Sequence, residues 1–143
     1  MGVRRTSRAG FTILELMAVI IIIGLLMTIV VGAYTAHVGS TRITATVAQI
    51  RILMDAVDSF NMANARYPTS LKELTTKPSD AKKWPAGGYL RGGKVPTDAW
   101  GNAFKYVSPG AGGQYDIISY GADGAPGGED NDAEITNHNL DEL

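Results

Sequence analysis

The chain has 143 residues, of which 45% are apolar and 19% charged, and it contains no cysteine. This length allows one compact domain with an appendage and is too small for a multidomain enzyme. Without cysteine, disulfides, thiolate zinc sites, iron–sulfur clusters and a cysteine nucleophile are excluded. The net charge of -1 is the sum of two unlike halves. Residues 1–66 have six arginines against three carboxylates, and residues 67–143 have seven cations against eleven carboxylates. Neither half has the clustered basic face of a nucleic-acid-binding surface.

A long apolar run follows a short basic leader. Residues 16–33 read LMAVIIIIGLLMTIVVGA, in which Thr28 is the only polar side chain, and Ile13, Leu14 and Tyr34 extend the run. About 20 such residues let an α-helix cross about 30 Å of hydrocarbon. The alternative is a buried helix of a soluble domain, but the roughly 110 remaining residues are too few to enclose a helix that is apolar all round. The run therefore predicts a transmembrane helix.

The charges around this run predict its orientation. The basic residues before it are Arg4, Arg5 and Arg8. The next cation is Arg42, so the positive-inside rule predicts a cytoplasmic N-terminus and export of the chain past residue 40. A secretory signal peptide shares the basic start, but its apolar region is about 7 to 15 residues long and ends at small residues. Here the run is longer, and the small-residue junction Ala9-Gly10 precedes it.

The segment between leader and helix carries a family resemblance. Residues 10–15, GFTILE, resemble the processing site of type IV pilins and pseudopilins. The resemblance implies that a prepilin peptidase cuts after Gly10 and that the new N-terminal residue, Phe11, is N-methylated. Glu15 would then be the fifth residue of the mature chain.

Glu15 is the single carboxylate in the apolar stretch. An acidic side chain at bilayer depth is costly unless it is paired or close to the interface. One interpretation is that Glu15 only reaches back to the cytoplasmic surface. The other is that it pairs with the α-amine of Phe11 on a neighbouring subunit when helices leave the bilayer and bundle, since a subunit out of register leaves a buried charge unpaired. We predict this second role, in filament assembly.

Beyond residue 39 the helix is predicted to continue as an amphipathic one. Apolar residues recur there at steps of three and four, which is one stripe on a helix. They are Ile43, Val47, Ile50, Met54, Val57 and Phe60. The helix is predicted to run to about Ala65, because Pro68 disfavours helical geometry at Tyr67. The stripe predicts packing on the helix's own domain.

A short helix and an ordered loop are predicted next. Ser70 and Glu73 have the spacing of a capping box, which predicts a helix from Ser70 to about Thr76. It would turn Leu71 and Leu74 inward. Residues 77–96 contain three prolines and four glycines. They predict an ordered loop that its two aromatic residues, Trp84 and Tyr89, hold in place, with a short strand near Tyr89.

An antiparallel hairpin is predicted after this loop. Residues 104–107 and 115–119 are rich in β-branched and aromatic side chains, and residues 108–113 between them have the composition of a turn. Residues 98–101, DAWG, resemble the D-P-W-G element of the major pseudopilins, with alanine in the place of proline. Trp100 is predicted to anchor the core.

The elements together predict an α+β fold of the type IV pilin-like kind. A long N-terminal helix, half transmembrane and half amphipathic, would pack on a small antiparallel sheet that is followed by a C-terminal acidic loop. The expected divisions are a leader at residues 1–10, a transmembrane and filament-core helix at residues 11–36, and a periplasmic globular domain at residues 37–143.

Residues 123–143 form an acidic segment without lysine or arginine. Its carboxylates are Asp123, Glu129, Asp130, Asp132, Glu134, Asp141 and Glu142. A hard cation such as Ca²⁺ takes six to eight oxygen ligands of this kind. The spacing is not that of an EF-hand, and taken alone such a segment is more often a solvated tail.

A second resemblance bears on this segment. Residues 119–124, SYGADG, with the acidic cluster that follows them, are similar to the calcium-binding loop of the major pseudopilins of type II secretion. The implied Ca²⁺ ligands are the carboxylates of Asp123, Asp130 and Asp132 and the backbone carbonyl of Tyr120. In the second acidic cluster, residues 129–134, Asn131 or Glu134 remain alternative ligands. Residues 135–138, ITNH, stand where relatives have I-G-N-W, so closure of the loop by a tryptophan is not expected.

The resemblance covers nearly the whole chain and implies a function. A major pseudopilin is a structural subunit, not an enzyme, and polymerises into the periplasmic pseudopilus of a type II secretion system. The implied partners are further copies of the chain, the prepilin peptidase, minor pseudopilins and the inner-membrane platform, without nucleic acid. The implied location is the inner membrane, spanned once, with a cytoplasmic N-terminus before assembly.

Two other classes of protein share part of this pattern. A type IV pilin of a surface fibre often closes its C-terminal loop with a disulfide, which a chain without cysteine cannot form. A periplasmic enzyme or binding domain on a single anchor would need a reactive cluster past residue 40. The motifs G-x-S-x-G and H-E-x-x-H and a phosphate loop are all absent from that part of the sequence.

Overall fold

The structure, a computed structural model, describes residues 10–142, apart from the side chains of residues 32–37. Residues 1–9 of the predicted leader lie outside the described residues. The main element is helix α1, Ile13–Asn64, which is 52 residues long. The chain divides into two compact units, one ending at His37 and one beginning at Val38.

In the first unit, α1 begins with a capped turn and continues as an apolar helix. The hydroxyl of Thr12 accepts a hydrogen bond from the Glu15 amide at 3.2 Å, and the Thr12 carbonyl accepts one from Leu16 at 3.1 Å. Residues Ile13–Val31 have a mean hydropathy of 2.9, and none of this span is buried. By length and composition it is suited to cross a membrane, as the sequence predicts.

In the second unit, α1 supplies one wall of the hydrophobic core. Of the predicted stripe, Ile50, Val57 and Phe60 are fully buried, and its other three members pack against them half-buried. Leu53 and Ala56 are buried as well, so the apolar face is wider than the predicted stripe. Burying each large side chain contributes about 1.5–3 kcal/mol, which makes this face the main attachment of the helix to its domain.

Helix α1 ends at Asn64, within a residue of the predicted end, but for another reason. Ala65 adopts a left-handed conformation with φ 58°, a common way for a helix to stop. The buried Asn64 side chain donates to the Phe60 carbonyl at 3.0 Å and to the Tyr89 hydroxyl at 3.1 Å. It accepts from the Lys83 amide at 3.1 Å. These contacts and the left-handed Ala65 end the helix before Tyr67, the residue that Pro68 restricts.

The predicted short helix is a single 3₁₀ turn, Leu71–Leu74, with both leucines buried. The predicted capping box is wrong, since the Ser70 side chain makes no capping hydrogen bond. The Glu73 carboxylate accepts instead from the amide of Thr69 at 3.3 Å and from its hydroxyl at 2.7 Å. Arg66 also binds Glu73 at 2.8 Å and draws its carboxylate toward the chain before Ser70.

The loop that follows is held by aromatic contacts, as predicted. The Tyr89 ring packs edge-to-face on Trp84 at 5.3 Å and on Phe60 at 5.4 Å. The strand predicted near Tyr89 is wrong, because residues 77–96, all of which the structure describes, contain no strand. The nearest strand-like pairing is an isolated bridge between Thr97 and Ala103. Left-handed glycines on both sides of Tyr89 prevent extended geometry: Gly87, Gly88, Gly92 and Gly93.

The sheet has three antiparallel strands in the order β1-β2-β3. They are β1, Lys105–Val107, β2, Asp116–Ser119, and β3, Ile135–Thr136. The first two form the predicted hairpin, in which Tyr106 is opposite Ile117. The third pairs with the end of β2, where Ser119 is opposite Ile135, and was not predicted. Because β2 ends at Ser119 and β3 begins at Ile135, the sheet holds the loop between them, residues 120–134, at both of its ends.

Candidate functional site

The predicted processing residues lie just before α1. Gly10 and Phe11 are exposed and outside the helix, with Phe11 81% exposed. Glu15 is exposed in the first turn, where a carboxylate complements the helix dipole. Among the described residues, which do not include the leader arginines, Glu15 has no ion pair.

The acidic loop, residues 120–134 between β2 and β3, folds back on itself through backbone contacts. The Ala122 amide donates to the Asn131 carbonyl at 2.9 Å. Gly121 has φ +71°, and a Cβ at this position would lie 2.6 Å from the same carbonyl oxygen. Only glycine allows this approach, since an added Cβ would collide with backbone. The fold thus brings the SYGADG segment, residues 119–124, against the second acidic cluster, residues 129–134.

The side chains of the predicted ligands are less closely gathered than the backbone. Asp123 is exposed and accepts from the Ala125 amide at 3.0 Å. Asp130 begins a short 3₁₀ turn with φ 53°, a conformation that aspartate tolerates better than most residues, and Asp132 ends that turn half-buried. The described residues contain no group of three or more Asp, Glu, His or Cys close enough to hold a metal.

The remaining candidate ligands have other contacts. The Tyr120 hydroxyl accepts a hydrogen bond from Lys105 Nζ at 3.1 Å, which raises the pKa of Lys105. The Asn131 side chain lies against Gly39 of α1, where an added Cβ would collide with it. The carbonyl of Glu134 accepts from the Asn139 side chain at 3.1 Å. The Asn131 side chain therefore packs against the helix, and Asn131 and Glu134 remain alternative ligands.

The donor chemistry nevertheless fits a calcium ion. The atoms available in residues 120–134 are carboxylate, amide and backbone oxygens, which hard cations prefer, and the segment has no lysine or arginine. The backbone closure at Gly121 supplies the framework. The fit therefore lies in the kind of donor and in the path of the backbone, and not in a preformed cluster of carboxylates.

A buried carboxylate lies beneath this loop. Asp98 is only 4% exposed and accepts three hydrogen bonds. Its Oδ1 accepts from the amides of Trp100 at 3.0 Å and Asn102 at 2.8 Å, and its Oδ2 accepts from the Ser119 hydroxyl at 2.7 Å. The neighbouring Ala99 amide donates to the buried Thr46 hydroxyl on α1 at 3.2 Å. Trp100 is half-buried against the core, as predicted.

The hairpin turn is held by a second polar pair. Asp116 on β2 accepts from the Ala111 amide at 2.7 Å and lies 2.7 Å from His138 Nε2. The bond to His138 is the main cause that lowers the pKa of Asp116. The segment after β3 is thereby joined to the turn between β1 and β2.

An arginine organises the chain after α1. The Arg66 guanidinium makes two bonds to Asp80, at 2.7 and 2.8 Å, and one to Glu73 at 2.8 Å. It also lies 5.0 Å from the centre of the Phe60 ring. Burial alone would raise the pKa of Glu73, but hydrogen bonds from Arg66 and Thr69 outweigh it and leave that pKa below its usual value.

Three of these polar contacts are not predicted from the sequence: Asp98 with Ser119, Asp116 with His138, and Arg66 with Asp80. Each joins residues 14 or more positions apart, so no local spacing shows it. The DAWG element was the one available signal, since an aspartate before a glycine turn often binds its own backbone.

Comparison with known proteins supports the same class that the fold and the N-terminal segment define, a pseudopilin-like protein. A model described as "Prokaryotic N-terminal methylation motif" matches residues 5–31, and one described as "Type II secretion system (T2SS), protein G" matches residues 33–138. The chain belongs to the type II secretion system protein G family.

Individual relatives agree with this assignment. The type II secretion system core protein G of Pseudomonas aeruginosa is 37% identical over 140 residues, covering 94% of this chain and 97% of the relative. That of Klebsiella michiganensis is 42% identical, covering 89% and 92%. The crystal structure of the major pseudopilin from the type 2 secretion system of enterohaemorrhagic Escherichia coli matches with a TM-score of 0.58 and 30% identity. It covers 68% of this chain and 87% of that one.

These matches confirm the predicted family, the fold class and the function as a structural subunit of the pseudopilus. The relatives are named for type II secretion, which favours a pseudopilin over a pilin of a surface fibre. The family is a structural one, in agreement with the absence of enzyme motifs from the sequence past residue 40.

Proposed function

We propose that the chain is cut after Gly10 by a prepilin peptidase and assembles through residues 11–36 into the core of a periplasmic filament. The observation that carries this proposal is the apolar span Ile13–Val31, none of which is buried within its own chain. Such a surface needs lipid or other apolar helices around it. Before assembly the bilayer surrounds it, and in the filament the helices of other copies take the place of lipid.

The same proposal assigns topology and partners. The N-terminus lies in the cytoplasm, the helix spans the inner membrane once, and residues 37–143 form the periplasmic domain. The implied partners are further copies of the chain, the prepilin peptidase, minor pseudopilins and the inner-membrane platform. The family assignment and the methylation motif support this set as a whole.

Mass spectrometry of the mature protein tests the processing step. The proposal predicts an N-terminal peptide that begins at Phe11 and carries one added methyl group on its amine. Cells without the prepilin peptidase are the control and should keep residues 1–10. A native, functional protein that retains Met1 through Arg8 contradicts the proposal.

We also propose that residues 120–132 bind calcium. Asp123, Asp130 and Asp132 would hold the ion through their carboxylates and Tyr120 through its carbonyl. Bound calcium would neutralise carboxylates that otherwise repel one another across the fold-back between Ala122 and Asn131. The oxygen-only donors and that backbone contact support the proposal.

A further inference from the structure

Asp98 is a buried carboxylate whose position is fixed from three directions. It is 4% exposed, and among the described residues no cation pairs with it. Burying a carboxylate is costly unless hydrogen bonds compensate for the lost water. The amides of Trp100 and Asn102 and the hydroxyl of Ser119 supply those bonds. Because burying the Asp98 carboxylate is costly, we expect it to have a specific role other than filling space in the core.

The bonds of Asp98 lead directly to the acidic loop. Ser119, which donates to Asp98, also accepts from the Gly121 amide at 3.3 Å. Asn102, whose amide binds Asp98, donates through its side chain to the Gly121 carbonyl at 2.8 Å. The two backbone polar groups of Gly121 are thus held by the side chains of Ser119 and Asn102, of which Ser119 binds Asp98 through its hydroxyl and Asn102 through its backbone amide. Next to Gly121, Ala122 binds the second acidic cluster through Asn131.

The geometry of the peptide bond extends this to a predicted ligand. The Gly121 amide and the Tyr120 carbonyl belong to one planar peptide unit, in which the N–H and C=O point in opposite directions. When Ser119 holds the amide, it therefore fixes the direction in which the Tyr120 carbonyl points. That carbonyl is the backbone ligand in the proposed calcium site.

We infer that Asp98 is a positioning residue for the acidic loop: acting through Ser119, it orients the Tyr120 carbonyl and Gly121, and through them the contact with the second acidic cluster. The anchor of this arrangement is α1, because Ala99 binds Thr46 on the helix at 3.2 Å. The inference rests on the proposed calcium function where it names calcium as the ligand of the loop. The positioning role is tested separately, by measuring how well ordered the loop is when no metal is present.

The experiment uses the full mature chain in detergent micelles, with Asp98→Asn, Ser119→Ala and the double variant. Ser119→Ala removes both bonds of the hydroxyl, and Asp98→Asn puts a donor opposite that hydroxyl in the place of an acceptor. Ser108→Ala is the matched control, since the Ser108 hydroxyl bonds the Gln114 carbonyl at 3.3 Å in the hairpin turn.

Hydrogen exchange in calcium-free buffer is the first readout. Both single variants should increase exchange about tenfold in peptides covering residues 120–133 and less than twofold in the β1-β2 hairpin. The double variant should add little to either single one, because residues that act through one another are not additive. Ser108→Ala should leave the loop unchanged. An even increase across the domain, or additive effects, overturns the inference.

Calcium titration is the second readout. Both variants should weaken calcium binding by about tenfold or more, as is usual when a residue that orients metal ligands is lost. Unchanged affinity in the variants of a chain that binds calcium overturns the inference. If the unsubstituted chain binds no calcium while loop exchange responds as expected, the positioning role stands and the calcium proposal fails.

Discussion

His138 Nε2 lies 2.7 Å from Asp116 Oδ1, and this contact joins the segment after β3 to the hairpin turn. The Asp116 side chain is 11% exposed and that of His138 41%. The imidazole lies over Gly112, where an added Cβ would come within 2.8 Å of it.

The pair predicts an acid-sensitive contribution to stability. Hydrogen bonding from His138 lowers the pKa of Asp116 in the folded chain. A lowered pKa means that the stabilisation is complete above the unfolded value, about 4, and is lost as the pH falls through the folded value. Asp116→Asn should therefore cost about 1–3 kcal/mol at pH 7, and its melting temperature should fall less than that of the unsubstituted chain between pH 5 and pH 3.

The control for this pH series is Asp141→Asn. Asp141 is 96% exposed and pairs with Arg51 at the surface, so its substitution should leave the pH profile nearly unchanged. Parallel profiles for Asp116→Asn and the unsubstituted chain would contradict a lowered pKa of Asp116 in the folded chain.

Arg66 gives a prediction about geometry as opposed to charge. Arg66→Lys keeps the positive charge but cannot make the paired bonds to Asp80 together with the bond to Glu73. We expect it to lower the melting temperature by several degrees, measured by circular dichroism of the full chain in detergent micelles. Arg51→Lys is the matched control, because Arg51 is 59% exposed and makes one bond at 3.2 Å. Equal effects of the two substitutions would contradict the prediction.

Glu15 gives a prediction about assembly. Glu15→Leu should leave the chain inserted in the membrane and processed, but should reduce sedimentable filaments at least tenfold, because the terminal amine of a neighbouring copy then has no partner. Thr28→Leu is the control in the same apolar span. Its hydroxyl donates only to the Leu25 carbonyl of its own helix, so filaments should form normally. Normal filaments from Glu15→Leu would leave the carboxylate with no role in register.

Calcium binding gives a prediction about the melting temperature. At a hundredfold excess over Kd, a ligand of the folded state adds about 2.7 kcal/mol, which corresponds to roughly 5–10 °C for a chain of this size. Asp123→Ala should abolish this gain. Asp141→Ala, a substitution in the same acidic segment but outside the proposed site, should keep it. A melting temperature that does not change across a calcium titration would count against the site.

Much of the fold was predictable because its signals are local. The stripe from Ile43 to Phe60 repeats with the helical period, and the hairpin pairs two runs of β-branched and aromatic residues around a turn. Strand β3 was missed because it is two residues long and is defined by its pairing with β2, not by its own sequence.

The site was predictable only in part, for a related reason. The resemblance around residues 119–124 located the loop, but it could not show that Asp98, twenty-one residues before Ser119, lies beneath it. The capping prediction at Ser70 failed for a similar reason, since Arg66 competes for the Glu73 carboxylate from the preceding turn. The contact of Asp98 with Ser119 and the missing cap at Ser70 both depend on residues that meet only in the folded chain. A rule based on sequence spacing cannot predict such contacts.

The close approach of α1 and the acidic loop at Gly39 restricts how this sequence can diverge. A methyl group there would collide with the Asn131 side chain, so alanine or any larger residue at position 39 requires a smaller or differently placed side chain at position 131. Although ninety-two positions separate the two sites, a substitution at position 39 is expected to move the Asn131 side chain or to be accompanied by a change at position 131.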